Sequence, residues 1–451
     1  MWREYQFAVS GVGGKTETGN KGNQMTTVKL EYDGKTVELP VLEATTGERA
    51  IDISELRAKT GLTTLDAGFG NTASCISTIT YVNGEKGVLR YRGIPIETVA
   101  EKMTFIETAW LLIYGRLPTQ SELRAFSVRL TNNELLHEGL LHHFDAFPPN
   151  GQPMSILSAV VNSLICYSPE IMDTANEEAM RNAVAAIISK VRTIAAFSYR
   201  KAMGLPFIYP DPVRSYCDNF LHMMFSLPNR PHQPTPEAVK ALNLFLMLHA
   251  DHEQNCSTST VRIVGSAETN LFSSVSAGIC ALWGKLHGGA NVAVAEMLRH
   301  LVDDGESTAD FIERVKRKEV RLMGFGHRVY KTFDPRAKVL KRAVFDLLNA
   351  EKVRDPLIDK ALELEQAALA DDYFKERNLY PNVDFYSGMI LRALKIPLNM
   401  YTVMFAIGRI PGWIAHWVEG NQGVRRLARP RQLYQGEVET PFVPLDLRNG
   451  L

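Results

Sequence analysis

The feature that most constrains the fold of this chain is a long series of apolar residues at helical spacing, divided into segments by glycine and proline. After Pro95, apolar residues recur at helical spacing, and glycine or proline interrupts them roughly every 15 to 25 residues. Thr235, Pro236 and Glu237 precede one long apolar run as an N-cap, a first-turn proline and an acidic residue. Asp334 begins another run in a similar way. About fifteen to twenty helices fit this pattern, so the sequence predicts a mainly α-helical fold.

A small β-rich module is predicted for residues 25–94, ahead of the helical part. Apolar and polar residues alternate on both sides of Asp33-Gly34, a dipeptide that tolerates the positive φ angles of a type I′ hairpin turn. Two further apolar stretches on either side of Asn83-Gly84 indicate a second hairpin.

Charge and cysteine content limit the partners and the compartment. Fifty lysines and arginines balance fifty aspartates and glutamates, so we expect no nucleic-acid partner, which would need a basic face. Five scattered cysteines favour a reducing cytoplasm, and no apolar run reaches the roughly 18 residues that a membrane span needs. Residues 1–24 are polar and glycine-rich without a signal-peptide core, and we expect a disordered leader.

Histidines form the first two candidate clusters. His249 and His252 follow a long apolar helix and would share a helical face, where they could bind zinc, bind a substrate, or simply complement the helix dipole. His287 precedes Gly288 and Gly289, which would let a ligand approach the backbone and the free N–H groups of the next helix. Alternatively, residues 287–289 form an ordinary turn between two helices, and the histidine has no function there.

Two further clusters contain glycine, arginine and aspartate. Gly324 and Gly326 lie beside His327 and suit a loop that packs under a ligand. Arg336 falls in the first turn of its helix, where a cation is disfavoured unless it grips an anion or turns out to solvent.

The last cluster centres on Asp384. This aspartate either caps a helix or acts as a general base whose pKa is raised by apolar neighbours. Arg409 and Arg429 are either anion-binding or surface residues. Together the four clusters suit carbon-acid chemistry, in which a base, an enolate donor and anion-binding arginines cooperate.

The four clusters occur in one order and at characteristic separations. They read HADHEQN at 249–255, HGGAN at 287–291, GFGHRVY at 324–330 with DPR at 334–336, and NVDFYSG at 382–388. In this combination the chain from about Met25 to Leu451 resembles the citrate synthases, most specifically between Gly324 and Arg336. Its β-rich beginning resembles the larger citrate synthases of Gram-negative bacteria, which carry an extra N-terminal domain and form hexamers built from dimers.

The resemblance implies a fold, a reaction and an assembly. A large helical domain would comprise residues 95–294 and 401–451, and a small helical domain of residues 295–400 would close over the site. The reaction would condense acetyl-CoA with oxaloacetate and hydrolyse citryl-CoA to citrate and CoA, at the start of the tricarboxylic acid cycle. Coenzyme A is then part of a substrate, so no cofactor and no metal is expected. A homodimer is the expected minimal active unit and a homohexamer the expected assembly, in the cytoplasm and without a membrane partner.

The resemblance also assigns roles residue by residue. His287 matches the histidine that binds the thioester oxygen, Asp384 the carboxylate that removes a methyl proton, and His327 the histidine that polarises the oxaloacetate carbonyl. Arg429 matches an arginine contributed across the dimer interface. The other positions that match oxaloacetate-binding residues, or lie beside one, are His249, His252, Arg336 and Arg409. The positions that match the loop around the CoA adenine are Met323, Gly324, Phe325, Gly326 and Arg328.

Three rival interpretations remain open from the sequence. A 2-methylcitrate synthase would use propionyl-CoA with the same residues, although such enzymes usually lack the β-rich module. A helical scaffold without activity would not need all the candidate chemical positions. A zinc hydrolase would use His249, His252 and His287 as ligands.

Overall fold

The computed structural model describes residues 26–169, 176–352, 354–422 and 426–448, so the predicted leader of residues 1–24 lies outside the described residues. The chain divides into two compact units, Met1–Ile76 with Ala428–Leu451, and Ser77–Leu427. No described helix is both long enough and apolar enough to cross a membrane.

The first unit contains a three-stranded antiparallel sheet of β1 (Thr27–Tyr32), β2 (Lys35–Glu43) and β3 (Arg49–Ile51). Between β1 and β2, Asp33 and Gly34 have φ angles of 50° and 70°, so the predicted type I′ turn is confirmed. A short helix, α1 (Leu56–Thr60), follows the sheet.

The second unit begins with another antiparallel sheet of β4 (Thr80–Asn83), β5 (Val88–Tyr91) and β6 (Ile94–Pro95). The predicted second hairpin is confirmed by the pairing of β4 with β5. Its strands bury Leu89 and Tyr91 in the same core as the helices, so the two hairpins of the predicted β-rich module lie in different sheets and different units.

Seventeen helices follow in the described part of the second unit, and the predicted mainly α-helical fold is confirmed. They are α2 (Ile96–Lys102), α3 (Phe105–Tyr114), α4 (Gln120–Asn132), α5 (Glu138–Asp145), α6 (Pro153–Ser163), α7 (Glu177–Ala202), α8 (Tyr216–Phe225), α9 (Pro236–Leu248), α10 (Cys256–Gly265), α11 (Leu271–Leu282), α12 (Ala290–Asp303), α13 (Thr308–Lys316), α14 (Pro335–Glu351), α15 (Pro356–Ala370), α16 (Asp372–Glu376), α17 (Val383–Ala393) and α18 (Tyr401–Gly420).

Helix caps explain two of the predicted boundaries. Thr235 Oγ1 accepts the N–H of Ala238 at the start of α9, and Asp334 caps α14 by accepting the N–H of Arg336. Both helices have a proline in the first turn, as the sequence predicts.

Two helices lie at the centre of the helical unit. Along α7 and α18, buried residues occur on every side rather than on one stripe, which is the pattern of core helices. Helix α18 packs against α3, α7, α9, α10 and α11. The split of the helices into a large domain and a small domain of residues 295–400 stays a prediction.

Leu157 offers a test of this core. Leu157→Ala truncates a fully buried side chain on α6, which packs against both α7 and α11. Because a cavity forms, the free energy of unfolding should fall by about 2–5 kcal/mol in chemical denaturation followed by circular dichroism. Leu135→Ala, at a side chain that is 58% exposed, is the control and should change it by less than about 0.5 kcal/mol. Equal losses in both variants would contradict this packing.

Candidate active site

The candidate catalytic side chains lie at helix ends of the second unit, whereas Arg409 lies within α18. The loop after α9 carries His249 and His252, the turn before α12 carries His287, and the loop before α14 carries His327. Asp384 is the second residue of α17. Helix ends leave backbone groups free of intrahelical partners, which makes them suited to hold ligands and to fix side chains.

The loop after α9 is fixed from two sides. Pro411 interrupts the hydrogen-bond ladder of α18, and the N–H of the next residue, Gly412, donates to the carbonyl of Ala250 at 3.1 Å. Tyr91 Oη donates to the carbonyl of Asp251 at 3.0 Å. The loop therefore has a defined path beneath the candidate site.

His249 is fully buried and neutral. Its Nδ1 donates to the carbonyl of Phe245 at 2.7 Å, and Nε2 has no partner. Burial lowers the pKa of His249 to about 3. Helix α9 ends at Leu248, before both histidines. The prediction that His249 and His252 share a helical face, on which they could bind zinc as a pair, is therefore wrong.

His252, His327 and Tyr330 form an aromatic group. The two imidazole centroids lie 5.6 Å apart, and His252 Nε2 lies 3.2 Å from Tyr330 Oη. Nδ1 of His327 accepts the N–H groups of Val329 at 3.0 Å and of Tyr330 at 3.3 Å. The ring proton of neutral His327 is therefore on Nε2. Burial lowers the pKa of His327 to about 4 and holds that of His252 well below its ordinary value.

His287 has the opposite tautomer. The N–H of Ser257 donates to its Nε2 at 3.3 Å, and Ser257 Oγ lies 2.9 Å from the same nitrogen. Nδ1 is therefore the protonated nitrogen of the neutral ring. Trp413 Nε1 donates to Ser257 Oγ, and the single hydroxyl proton of Ser257 faces two acceptors, His287 Nε2 and Asn255 Oδ1, which lies at 2.8 Å. Burial, reinforced by the charge of Arg409, lowers the pKa of His287 to about 4.

Asp334 joins two of the helix starts. Its carboxylate accepts the backbone N–H, Nε and Nη2 of Arg336 at 3.0, 3.0 and 2.9 Å. It also accepts the N–H of Val383, the first residue of α17, at 3.2 Å. Arg336 is only 3% exposed, so the solvent-facing alternative is wrong. One buried carboxylate thus holds the arginine of α14 and the start of the helix that carries Asp384.

The carboxylate of Asp384 is buried and is not used as a helix cap. Asn382 is the N-cap of α17 and accepts the N–H of Asp384 at 3.0 Å, so the capping alternative for Asp384 is wrong. The Asp384 carboxylate makes no hydrogen bond to the described residues. Burial raises its pKa to about 6, and although Arg336 and Arg409 oppose this rise, the negative charge of Asp334 adds to it.

Arg409 is a buried cation with an unused donor. Its Nε donates to the carbonyl of His249 at 2.6 Å, and Nη1 is buried without a partner. The side chain is 2% exposed, which rules out the surface alternative, and burial lowers the pKa of Arg409 to about 10. A buried N–H without an acceptor is costly, so this position favours an anionic ligand.

Electrostatic coupling shows that these groups converge. The charge of Arg409 lowers the pKa values of His249, His252, His287 and Asp384. The charge of Arg336 lowers those of His249, His252, His327 and Asp384. Each of these four histidines is therefore influenced by at least one of the two arginines, and Asp384 by both.

The predicted CoA-binding loop runs beside the start of α17. Gly324 and Gly326 have φ angles of 79° and 74°, and an added Cβ on Gly324 would lie 2.9 Å from the Cβ of Phe385. Gly326 N–H donates to the carbonyl of Tyr380, and Asn382 N–H to that of Gly324. The assignments of Met323, Gly324, Phe325, Gly326 and Arg328 to CoA stay predictions.

Arg429 belongs to the first unit and is exposed, and its predicted role across a dimer interface stays a prediction. Among the described residues, no group of three or more histidine, cysteine, aspartate or glutamate side chains is arranged to hold a metal ion. The sequence did not single out Ser257 or Trp413, and it indicated Asp334 only as a cap.

The raised pKa of Asp384 predicts a pH-dependent gain of stability in Asp384→Asn. Between about pH 4 and 6 the folded protein holds a proton that the unfolded chain releases, so stability falls as pH rises through this interval. Asparagine does not titrate. At about pH 8 the free energy of unfolding of the variant should therefore exceed that of the parent by on the order of 1–2 kcal/mol. Near pH 4, where the aspartate of the folded parent is protonated, this advantage should be absent.

Denaturant unfolding at the two pH values measures this difference. The control is Asp310→Asn, which alters an exposed first-turn aspartate of α13 and should gain nothing. A gain for Asp384→Asn that is equal at both pH values would contradict the raised pKa.

Comparison with known proteins shows the family to which the chain belongs. A family model described as the citrate synthase C-terminal domain matches residues 68–431. Citrate synthase 1 of Mycobacterium tuberculosis is 50% identical over 425 residues, 94% of this chain and 99% of that protein. Citrate synthase of Corynebacterium glutamicum is 46% identical over 424 residues, 93% and 97% of the two chains.

Solved structures match along most of the chain. Citrate synthase from Pyrobaculum aerophilum has a TM-score of 0.78 at 33% identity and covers 94% of this chain and 100% of that one. A ternary complex of the Thermoplasma acidophilum citrate synthase with carboxymethyl-CoA and oxaloacetate has a TM-score of 0.76 at 31% identity, with coverage of 85% and 100%. The chain belongs to the citrate synthase family.

Proposed function

We propose that this chain condenses acetyl-CoA with oxaloacetate and hydrolyses citryl-CoA to citrate and CoA, at the start of the tricarboxylic acid cycle. One observation carries the assignment of the site. A carboxylate without hydrogen-bond partners shares one electrostatic cluster with two neutral imidazoles of fixed tautomer and two buried arginines. The solved relative that binds carboxymethyl-CoA and oxaloacetate supports the same pair of substrates.

Asp384 is the base in this proposal. The methyl group of a thioester is a very weak acid, and a carboxylate with a pKa of about 6 is a stronger base than an ordinary aspartate. The same pKa leaves the group mostly ionised at neutral pH. Burial therefore increases basicity without removing the reactive form.

His287 stabilises the enolate. Its Nδ1 carries the ring proton because Ser257 occupies Nε2, so the imidazole can donate to the thioester oxygen on which charge develops. A neutral donor does not place a second charge in the site. Loss of one such donor typically costs about 10²–10³ in rate.

Oxaloacetate is held and polarised by the remaining groups. Nε2–H of His327 donates to its ketone oxygen, which increases the electrophilicity of the carbon that the enolate attacks. Arg336 and Arg409 bind its carboxylates, and His252 and His249 line the same region. Arg429 of a second copy completes the clamp, which makes a homodimer the minimal active unit and a homohexamer our proposed assembly.

CoA binds along the loop of residues 323–328, and no resident cofactor or metal is required. We place the enzyme in the cytoplasm. The alternative use of propionyl-CoA, as in a 2-methylcitrate synthase, is not favoured, because the relatives described above are citrate synthases. A ratio of kcat/KM values for acetyl-CoA and propionyl-CoA well above one agrees with the proposal, whereas a ratio below one would contradict it.

Release of CoA tests the reaction directly. CoA should appear from acetyl-CoA only when oxaloacetate is present, because condensation precedes thioester hydrolysis.

Asp384→Asn should lower kcat by about 10²–10⁴, the usual contribution of a general base. In the parent enzyme, kcat/KM should fall tenfold per pH unit below about pH 6, where the base becomes protonated. Turnover of the variant at the parent rate would overturn the role of Asp384.

Arg336→Ala tests the clamp. A charge-assisted contact contributes about 1.5–3 kcal/mol, so its loss should raise KM for oxaloacetate about 10- to 150-fold, with a smaller effect on the KM for acetyl-CoA. Arg342→Ala removes an exposed arginine of the same helix and should leave both KM values unchanged. Unchanged oxaloacetate affinity in Arg336→Ala would contradict the clamp.

A further inference from the structure

The turn between β4 and β5 lies directly against the loop that carries His327. The N–H of Lys331 donates to the carbonyl of Gly84 at 2.9 Å. A Cβ added to Gly84 would overlap the carbonyl oxygen of Val329 and lie 2.7 Å from its carbonyl carbon. On the other side of the turn, a Cβ added to Gly87 would lie 2.9 Å from the carbonyl oxygen of Phe333. The two backbones are therefore in contact at both ends of the turn.

Close approach, and not backbone conformation, requires glycine at position 84. Gly87 and Gly93 have φ angles of 62° and 84°, which favour glycine by themselves, but Gly84 has no positive φ. Asn83, its neighbour, closes the turn by accepting the N–H of Lys86 at 2.9 Å. The missing side chain of Gly84 thus serves only the contact with Val329.

The residue that Gly84 touches is the one that sets the tautomer of His327. The N–H of Val329 donates to Nδ1 of His327, as does the N–H of Tyr330, and this leaves the ring proton on Nε2. Tyr330 also reaches His252 through its hydroxyl. A displacement of Val329 would therefore loosen both histidines that face oxaloacetate in the proposed function.

The same strand supports the second histidine loop. Two residues before Gly84, the N–H of Val82 donates to Oε1 of Glu253 at 2.9 Å, next to His252. Val82 of β4 thus contacts the loop of His252, and Gly84 in the following turn contacts the loop of His327. The hairpin therefore connects the two segments.

We propose that Gly84 is a positioning residue, which holds the loop of residues 327–331 so that Nε2–H of His327 aims at the ketone of oxaloacetate. The proposal rests on the role of His327 given above. Gly84 touches no substrate, and its contribution passes entirely through the backbone of Val329 and Lys331.

Gly84→Ala tests this role against Gly93→Ala. The alanine at position 84 should lower kcat at saturating acetyl-CoA by about tenfold or more and raise KM for oxaloacetate, because His327 loses its alignment. Gly93 lies in the neighbouring turn, has a positive φ and has no atom within 4 Å of an added Cβ. Gly93→Ala therefore strains a turn of the same sheet without touching the loop, and its kinetic constants should match those of the parent. Thermal midpoints of both variants report any loss of folded protein, and rates are expressed per folded molecule.

A double-mutant cycle with His327→Asn separates the two claims. If Gly84 acts through His327, Gly84→Ala should have little further effect on kcat in the His327→Asn background. Equal fold-losses in both backgrounds, or a Gly84→Ala enzyme with parental kcat and KM, would overturn the positioning role. A His327→Asn enzyme with parental kcat would instead overturn the proposed function of His327. Faster hydrogen exchange of residues 327–333 in Gly84→Ala, absent from Gly93→Ala, is the expected structural signature, and unchanged exchange would contradict the contact.

Discussion

Burial of ionisable groups around two arginines is the constraint on which the site depends. An imidazole that loses water becomes harder to protonate, and a carboxylate that loses water becomes harder to ionise. Here the same environment lowers the pKa values of His287 and His327 to about 4 and raises that of Asp384 to about 6. At neutral pH the histidines are therefore neutral donors and the aspartate is an ionised base. Hydrogen bonds from backbone N–H groups then decide which nitrogen of each ring donates.

The scaffold places these groups by means of helix ends and a single buried carboxylate. Asp334 accepts hydrogen bonds from Arg336 and from the N–H of Val383, so one carboxylate links Arg336 to the start of the helix that carries Asp384. Its charge compensates that of Arg336, which would otherwise be a buried cation without a partner. Ser257 fixes the ring of His287, and Trp413 holds Ser257 in turn. The candidate catalytic residues are thus held by residues to which the proposed function gives no chemical role.

Local signals in the sequence predict much of the fold and part of the site. Caps at Thr235 and Asp334 and the turn at Asp33-Gly34 act within a few residues, so they can be read from the chain. Unusual residue types at helix ends likewise indicate His287, Arg336 and Asp384. The predicted helical face shared by His249 and His252 is wrong because α9 ends at Leu248, before either histidine.

Contacts between distant segments are not predictable in this way. Ser257 approaches His287, and Gly84 approaches Val329, only through tertiary packing. Similarly, the division of two hairpins between two units depends on which core buries their side chains, as Leu89 shows. Family membership supplies the reaction, whereas these contacts explain how this chain would hold the residues that perform it.

The protonation states of the two central imidazoles test the account most directly. Nitrogen-15 NMR of histidine-labelled protein at about pH 7 reports them, with assignments from variants that each lack one histidine. We expect His287 to carry a proton on Nδ1 alone and His327 on Nε2 alone. A spectrum in which either ring is protonated on both nitrogens would contradict the claim that burial keeps the donors of this site neutral.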